Sequence, residues 1–209
     1  MQYLSNEIYH IYNQSNDGSV IFISHENYLY FLLKIREKIC PYVDFLAYSI
    51  MPNHFHWLVY TKPAACEYSN AVKPMRKYRN NLISEKELLN ESEHRQQKLS
   101  TAIGGLLSGY TRAFNKMYDK RGARFRKPTK AKNGMIEELI TLDGKYSHLF
   151  FHMVNPYPRI CFNYIHDNAP KANLVSKSED YLYSSARDYA GLRNGTLCNQ
   201  KLAKELNLI

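Results

Sequence analysis

Two histidines separated by one residue are the side chains best suited to chemistry in this sequence. They lie in His54-Phe55-His56, inside an apolar run that predicts a β-strand over residues 54–60. Side chains at i and i+2 of a strand project from the same face, so two imidazoles could hold one divalent ion. Phe55 and Trp57 would pack on the opposite face. Imidazole suits Mn²⁺ and other transition metals, whereas Mg²⁺ prefers oxygen ligands. A bare His-x-His pattern is also typical of ordinary surface or core histidines.

A tyrosine followed by an amide one helical turn later forms the second candidate. In residues 161–168, Tyr164 and Asn168 are four residues apart, and on a helix they would share one face. A phenol that attacks phosphorus needs a nearby cation to help it lose its proton and to neutralise charge on the phosphate. The amide oxygen of Asn168 could be a third ligand of that cation, whereas His166 would point elsewhere. With 18 tyrosines in the chain, a single tyrosine is more often part of the core or surface.

A basic segment over residues 112–132 is the third candidate. Its single acidic residue is Asp119, and its candidate DNA-binding side chains are Arg112, Lys116, Lys120, Arg121, Arg124, Arg126, Lys127, Lys130 and Lys132. The interleaved Tyr110, Phe114, Tyr118 and Phe125 could stack on unpaired bases, which would suit single-stranded or hairpin nucleic acid. A solvated basic face with no nucleic-acid partner is the alternative.

Composition agrees with a basic, globular protein. The 209 residues include 28 Lys and Arg against 19 Asp and Glu, a net charge of +9, which favours polyanionic partners. The hydrophobic fraction of 44% predicts a folded chain, and the length fits one domain. The sequence has no Gly-rich phosphate loop, no Gly-x-Ser-x-Gly elbow and no His-Glu-x-x-His helix.

Cysteine usage and hydropathy predict the compartment. The four cysteines are scattered, with neither a disulfide framework nor a zinc-knuckle spacing, and are typical of a reducing environment. The N-terminal residues lack the pattern of a signal peptide, and no window approaches the roughly 18 uncharged apolar residues of a membrane span. We therefore expect a soluble, cytoplasmic and nucleoid-associated protein with no membrane partner.

Apolar periodicity and turn residues predict a mixture of strands and helices. Ser24 is a candidate helix cap, Pro41 a helix terminator, and Pro52-Asn53 the turn of an antiparallel strand pair. The apolar residues 20–23 are compatible with a second strand or with the run into a helix. The predicted elements are strands at 8–14, 43–51 and 54–60, helices at 25–40 and 100–118, a polar stretch at 63–100 that is helical in parts, a helical stretch within 146–164 interrupted near Pro156 and Pro158, and short elements after 173.

Four segments resemble the single-tyrosine HUH transposases, most of all the branch that contains the REP-associated tyrosine transposases and related insertion-sequence enzymes. Residues 48–59, YSIMPNHFHWLV, resemble the metal-site strand of that family. The other three follow in the family's order: 9–14 as the opening strand, 109–115 with 122–126 as the central helix and basic segment, and 164–175 with 179–185 as the nucleophile helix and its closing segment. The resemblance covers most of 8–62 and 100–190.

The resemblance implies an α+β fold with a central antiparallel sheet of ferredoxin-like or RNA-recognition-motif-like type. It also implies Mg²⁺ or Mn²⁺ on His54 and His56, with Asn168 the candidate third ligand. Tyr164 would be the nucleophile that forms a 5′-phosphotyrosine bond and releases a 3′-OH at hairpin or palindromic DNA, with no nucleotide cofactor. Residues 1–209 would form one domain with a variable insert at about 63–100, a short C-terminal extension and a possible homodimeric assembly.

Two departures from the family pattern lie near the nucleophile helix. The chain has Asn168-Ala169-Pro170 where the family commonly has Asn-Pro, so we expect the helix to end one residue later. Asn173 stands where glycine is common, and asparagine also tolerates a left-handed backbone.

Two other functions stay open at this point. One is a domesticated repeat-binding DNA protein that has lost transposition activity. The other is an RNA-binding protein with an incidental His-x-His pattern.

Overall fold

The computed structural model describes residues 2–69, 96–134 and 156–209, and over these residues the chain forms four strands, six α-helices and a short 3₁₀ helix. In chain order they are β1 Ile8–Gln14, α1 His25–Lys38, β2 Val43–Met51, β3 His54–Thr61, α2 Pro63–Cys66, α3 Lys98–Met117, β4 Lys130–Asn133, α4 Tyr157–Lys171, the 3₁₀ helix Ser178–Asp180, α5 Ala186–Tyr189 and α6 Gln200–Glu205.

The four strands form one sheet in the order β2-β3-β1-β4, and every neighbouring pair is antiparallel. β1 lies between β3 and β4, so α1 connects β1 to the edge strand β2 by passing across β3. With α3 preceding β4, the order is the β-α-β-β-α-β arrangement of ferredoxin-like folds. The predicted α+β fold with a central antiparallel sheet is confirmed.

One face of the sheet is covered by α1 and α3, and we call it the helix-pair face. Alternate residues of β1 and β3 point into it, among them Ile11 and Trp57, which are fully buried. The ring centroid of Phe31 on α1 lies 5.5 Å from that of Phe55 and 5.1 Å from that of Tyr110 on α3. This aromatic core holds the sheet without using the histidines, whose side chains project from the other side.

The opposite face is covered in part by α4, and we call it the α4 face. There Ile8 and Leu58 pack against Cys161, Phe162 and Ile165 of the helix. Ile165 lies three and four residues after Phe162 and Cys161, so the three side chains form one apolar stripe that fixes the orientation of α4. The part of the α4 face that this stripe leaves uncovered carries the candidate site.

The structure decides one alternative that the sequence left open and shifts the start of one helix. Residues 20–23 are the run into α1 rather than a strand, and the side chain of Asn27 caps that helix by accepting the backbone N–H of Ser24 at 3.2 Å. α3 begins at Lys98, two residues before the predicted start, where the described residues of the 63–100 stretch pair with each other: Tyr68 bridges Gln97, and the N–H of Lys98 donates to the carbonyl of Glu67 at 2.7 Å.

Parts of two predictions lie outside the described residues, namely 70–95 of the insert and 146–155 of the stretch before α4. All four cysteines are free thiols. None of the helices given above combines the length and apolar character needed to cross a membrane.

Candidate active site

His54 and His56 project from β3 onto the α4 face. Their ring centroids are 5.1 Å apart, and the rings are almost perpendicular. Phe55 and Trp57 stack on the helix-pair face with centroids 4.2 Å apart. The same-face placement predicted from the i, i+2 spacing is therefore present, with His54 partly exposed and His56 buried.

Each of these histidines uses its Nδ1 atom in a contact with another residue. Nδ1 of His54 lies 2.6 Å from the amide oxygen of Asn53, in the β2–β3 turn. Nδ1 of His56 lies 2.9 Å from Nε2 of His10, on the neighbouring strand β1. Because both Nδ1 atoms have partners, Nε2 is the nitrogen that each ring has left for a ligand.

Burial keeps the histidines neutral. It lowers the pKa of His56 to about 3, with His10 and His54 adding to the effect, and it lowers the pKa of His10 to about 4, with Lys132 adding to the effect. The pKa of His54 is also lowered by burial. Neutral imidazoles are the form that binds metal ions, so two adjacent neutral rings fit a divalent transition ion.

Within residues 2–69, 96–134 and 156–209, no group of three or more His, Cys, Asp or Glu is placed to hold a metal ion. An ion at His54 and His56 would therefore draw further ligands from an amide, from water or from a bound substrate.

Tyr164 lies on α4 directly across from these rings. Its ring centroid is 5.4 Å from that of His56 and 6.1 Å from that of His10, both in edge-on geometry. The side chain is 41% exposed although its neighbour Ile165 is fully buried. The apolar stripe of α4 thus packs on the sheet and leaves this tyrosine at the rim of the histidine pair, reachable by a large substrate.

Asn168 lies one turn after Tyr164, as the spacing predicts. Its amide nitrogen donates to the carbonyl oxygen of Tyr164 at 2.9 Å, so the side chain folds back along its own helix. Its role as a metal ligand stays a prediction. His166 is buried, and its Nε2 lies 2.7 Å from Oγ of Ser185, away from the site, as expected.

The nine basic residues of the segment 112–132 do not share one surface. Lys130 and Lys132 lie on β4 opposite Tyr12 and His10, and directly opposed residues of an antiparallel pair share a face, so both project onto the α4 face. Arg112 and Lys116 instead line a groove between α1 and α3, on the helix-pair face. Lys120, Arg121, Arg124, Arg126 and Lys127 lie in the loop between α3 and β4.

The aromatic residues predicted to stack on bases are mostly unavailable. Tyr110, Phe114 and Phe125 are no more than 5% exposed, because they fill the core between α3 and the sheet. That prediction was wrong for these three side chains. The i, i+4 spacing of Tyr110 and Phe114 was the signal of a buried helix face rather than of a base-stacking surface, whereas Phe125 lies in the loop after that helix.

Three residues of the site were missed from the sequence: His10, Tyr12 and Asn53. Tyr12 is partly exposed, and its ring stacks at 5.6 Å from His56, with Nζ of Lys130 lying 6.0 Å from its centroid. The i, i+2 placement of His10 and Tyr12 on either side of Ile11 was a signal that one face of β1 could carry polar groups. The sequence does not show that β1 pairs with β3, and this pairing is what brings His10 and Tyr12 next to His56.

No family model and no curated protein matches the sequence. Among solved structures, the chain is similar to a REP-associated tyrosine transposase bound to a REP hairpin, with a TM-score of 0.52 and 13% identity over 92% of this chain and 86% of that one. At this identity the likeness is one of fold, and it extends along nearly the whole of both chains. The chain therefore has the fold of a REP-associated tyrosine transposase, the branch whose sequence pattern it resembles.

Proposed function

We propose that this protein is a metal-dependent, transposase-like DNA nickase and strand transferase that uses Tyr164 as its nucleophile. The observation that carries the proposal is the exposed phenol of Tyr164 at the edge of two neutral histidines, His54 and His56, which come from a different element of the fold. A shared fold with a hairpin-bound transposase supports the same conclusion.

The reaction needs one bond to form and one to break at phosphorus. The phenolate oxygen of Tyr164 attacks a phosphate of single-stranded DNA, a bond forms between that oxygen and phosphorus, and the bond from phosphorus to the 3′ oxygen breaks. The phenol proton goes to solvent, and the leaving 3′ oxygen takes up a proton. Because the 5′-phosphotyrosine bond keeps the energy of the original linkage, a 3′-OH can attack it later and rejoin strands without a nucleotide cofactor.

His54 and His56 would hold Mg²⁺ or Mn²⁺ through their Nε2 atoms, with Asn168 as a further candidate ligand if its side chain turns from its own helix. A divalent ion bound there supplies charge neutralisation at the phosphate and favours the ionised phenol. The imidazole donors fit Mn²⁺ better than Mg²⁺, which prefers oxygen.

Single-stranded or hairpin DNA is the proposed substrate. Lys130 and Lys132 extend from the histidines along β4, and Nζ of Lys171 lies 5.7 Å from the centroid of Tyr164. These cations lie beside His10, Tyr12 and Tyr164, and they suit a phosphodiester backbone that passes over the α4 face. The basic residues elsewhere in 112–132 would then contact DNA farther from that phosphate.

Covalent trapping tests the proposal. The full chain is incubated with Mn²⁺ and 3′-end-labelled hairpin DNA taken from the sequence that flanks its gene, and denaturing gels are used to separate protein-linked label. We expect a labelled adduct with the wild type, with mass spectrometry placing the phosphate on Tyr164. Tyr164→Phe should reduce the adduct below detection, because phenylalanine has no oxygen to attack with.

Tyr12→Phe is the matched control, because Tyr12 is the other tyrosine whose ring lies against His56. It should still form the adduct. If Tyr164→Phe keeps the adduct and Tyr12→Phe loses it, the nucleophile is misassigned. If the wild type binds the hairpins tightly but forms no adduct with Mn²⁺ or Mg²⁺, the protein is a repeat-binding module instead. Equal binding to RNA hairpins without any metal dependence would support an RNA-binding protein.

A further inference from the structure

His10 is a buried histidine of β1 to which the reaction above gives no part. It is 7% exposed, and its Nε2 lies 2.9 Å from Nδ1 of His56. At this distance the two nitrogens share one hydrogen, so one ring donates and the other accepts. The direction of that hydrogen bond decides whether Nε2 of His56 has a free lone pair.

His54 has a comparable hydrogen bond at Nδ1, and there the chemistry of its partner Asn53 shows which atom donates. The amide nitrogen of Asn53 donates to the carbonyl of Gly18 at 3.1 Å, which leaves its oxygen facing Nδ1 of His54 at 2.6 Å. An amide oxygen can only accept, so Nδ1 of His54 carries the hydrogen. The Nε2 atom of His54 then has its lone pair available.

We propose that His10 is a positioning residue that accepts the Nδ1 hydrogen of His56 and thereby leaves Nε2 of His56 free for the divalent ion, as Asn53 does for His54. The inference rests on the metal-binding role of the two histidines in the proposed function. Metal-bound histidines usually donate their second ring nitrogen to another residue, which fixes both the tautomer and the orientation of the ring.

His10 can accept in this way when its own hydrogen is on Nδ1. That atom lies 3.9 Å from Sγ of Cys161, a weak acceptor on α4. The contacts therefore run from the helix that carries Tyr164, through His10, to His56. His10 on β1 therefore links His56 on β3 to Cys161 on α4, the helix that carries Tyr164.

The tautomer can be measured without any metal. Nitrogen-15 NMR of the metal-free full chain, labelled at histidine and held at pH 7.5, reports which nitrogen of each ring carries hydrogen. We expect Nδ1–H for both His54 and His56. An Nε2–H tautomer of His56 would mean that His10 donates, which overturns the inference whether or not the protein cuts DNA.

Manganese titration by calorimetry measures the consequence. His10→Phe removes the acceptor but fills the space, and we expect it to weaken Mn²⁺ binding about 10- to 100-fold, as loss of such partners commonly does. His10→Gln keeps an oxygen that can accept and should bind nearly as the wild type does. A loss in His10→Gln as large as in His10→Phe would make His10 a direct ligand or a packing residue and would contradict the proposal.

His166→Phe is the matched control. His166 is also buried, at 8% exposure, but its partner is Ser185, outside the site. It should keep Mn²⁺ binding, and an equal loss there would assign the effect of His10→Phe to packing. If His10→Phe does not fold, the tautomer of His56 in the wild type and the Mn²⁺ affinity of His10→Gln still test the role of His10. If the wild type binds no Mn²⁺, the metal-dependent part of the proposed function is wrong. The NMR experiment on the metal-free chain still tests whether His10 accepts the Nδ1 hydrogen of His56.

Discussion

Three buried histidines link the stability of the fold to pH. Burial lowers the pKa of His166 to about 4, as it does for His10, and lowers that of His56 further, to about 3. In the unfolded chain their pKa values return to about 6.5. The stabilisation that comes from keeping these rings neutral is therefore complete above about pH 6.5, and it is lost as the pH falls toward the folded-state values.

We expect the free energy of unfolding to fall between pH 7 and pH 5, with a slope that approaches about 1.4 kcal/mol per pH unit below about pH 6 for each histidine that takes up a proton only on unfolding. Urea unfolding at several pH values measures this slope. His166→Gln removes one of the titrating rings and should make the slope shallower by one histidine's share. An unchanged slope would show that His166 is not held neutral by the fold.

The end of α4 shows how an element can keep its geometry with an atypical residue. Asn173 follows the helix with φ of 55°, the N–H of Asn173 donates to Pro170 at 2.9 Å, and that of Leu174 donates to Ala169 at 3.0 Å. These two bonds are the Schellman motif, in which the left-handed position usually has glycine. Pro170 lies inside the helix, which continues to Lys171. Asparagine thus takes a left-handed position where glycine is usual, as its tolerance of that backbone predicted.

Asn173→Ala should lower the free energy of unfolding by about 1 kcal/mol, because a left-handed backbone is costly for alanine, whereas Asn173→Gly should leave it unchanged or raise it. Chemical denaturation measures both. Asn207, with φ of 55° after α6, provides a matched position away from the site. Equal stability of Asn173→Ala and Asn173→Gly would contradict this account of the helix end.

The sequence was most informative where the determining contacts are local. The strand pair around Pro52-Asn53 and the helix that begins after Ser24 follow from alternation, helical spacing and turn residues. The same-face placement of His54 and His56 follows from strand geometry, and that of Tyr164 and Asn168 from helix geometry. His10 could not be found in this way, because its contact with His56 exists only when β1 inserts between β3 and β4, a pairing across 46 residues.

At the scale of the whole molecule, the C-terminal residues cover the outer edge of the sheet. β2 is an edge strand, and its backbone bonds to later residues: the N–H of Ile50 donates to Tyr183 at 3.0 Å, and the N–H of Asn199 donates to Phe45 at 2.8 Å. Residues that follow α4 thus protect an edge that would otherwise offer unpaired groups to another chain.

One ion pair holds this segment in place. The carboxylate of Asp188 is buried, and the Arg193 guanidinium bonds to both of its oxygens at 2.6 and 2.9 Å and to the hydroxyl of Tyr48 on β2 at 2.9 Å. A side chain at Gly195 would collide with the same carboxylate, since an added Cβ would lie 2.3 Å from it. The close approach of the Asp188 carboxylate to the backbone explains why residue 195 is a glycine.

Arg193→Met should lower the free energy of unfolding by about 2–3 kcal/mol, because it leaves a buried carboxylate without its cation. The figure is below that of a fully buried pair since the arginine is partly exposed. Thermal and urea unfolding measure the loss. Lys201→Met breaks an exposed pair with Glu205 and should cause no measurable change. Similar effects of the two substitutions would show that the Asp188 pair does not hold the segment.

The proposed role of Tyr164 would also limit how many DNA ends one molecule could process at once. Among the described residues, it is the tyrosine that lies exposed at the rim of the histidine pair. If it is the nucleophile, a single copy of the chain can be linked to one broken strand at a time. Cutting both boundaries of a DNA segment then takes either two copies acting together or two successive rounds by one copy. The ratio of adduct to protein in a trapped reaction would therefore reach one and stop there.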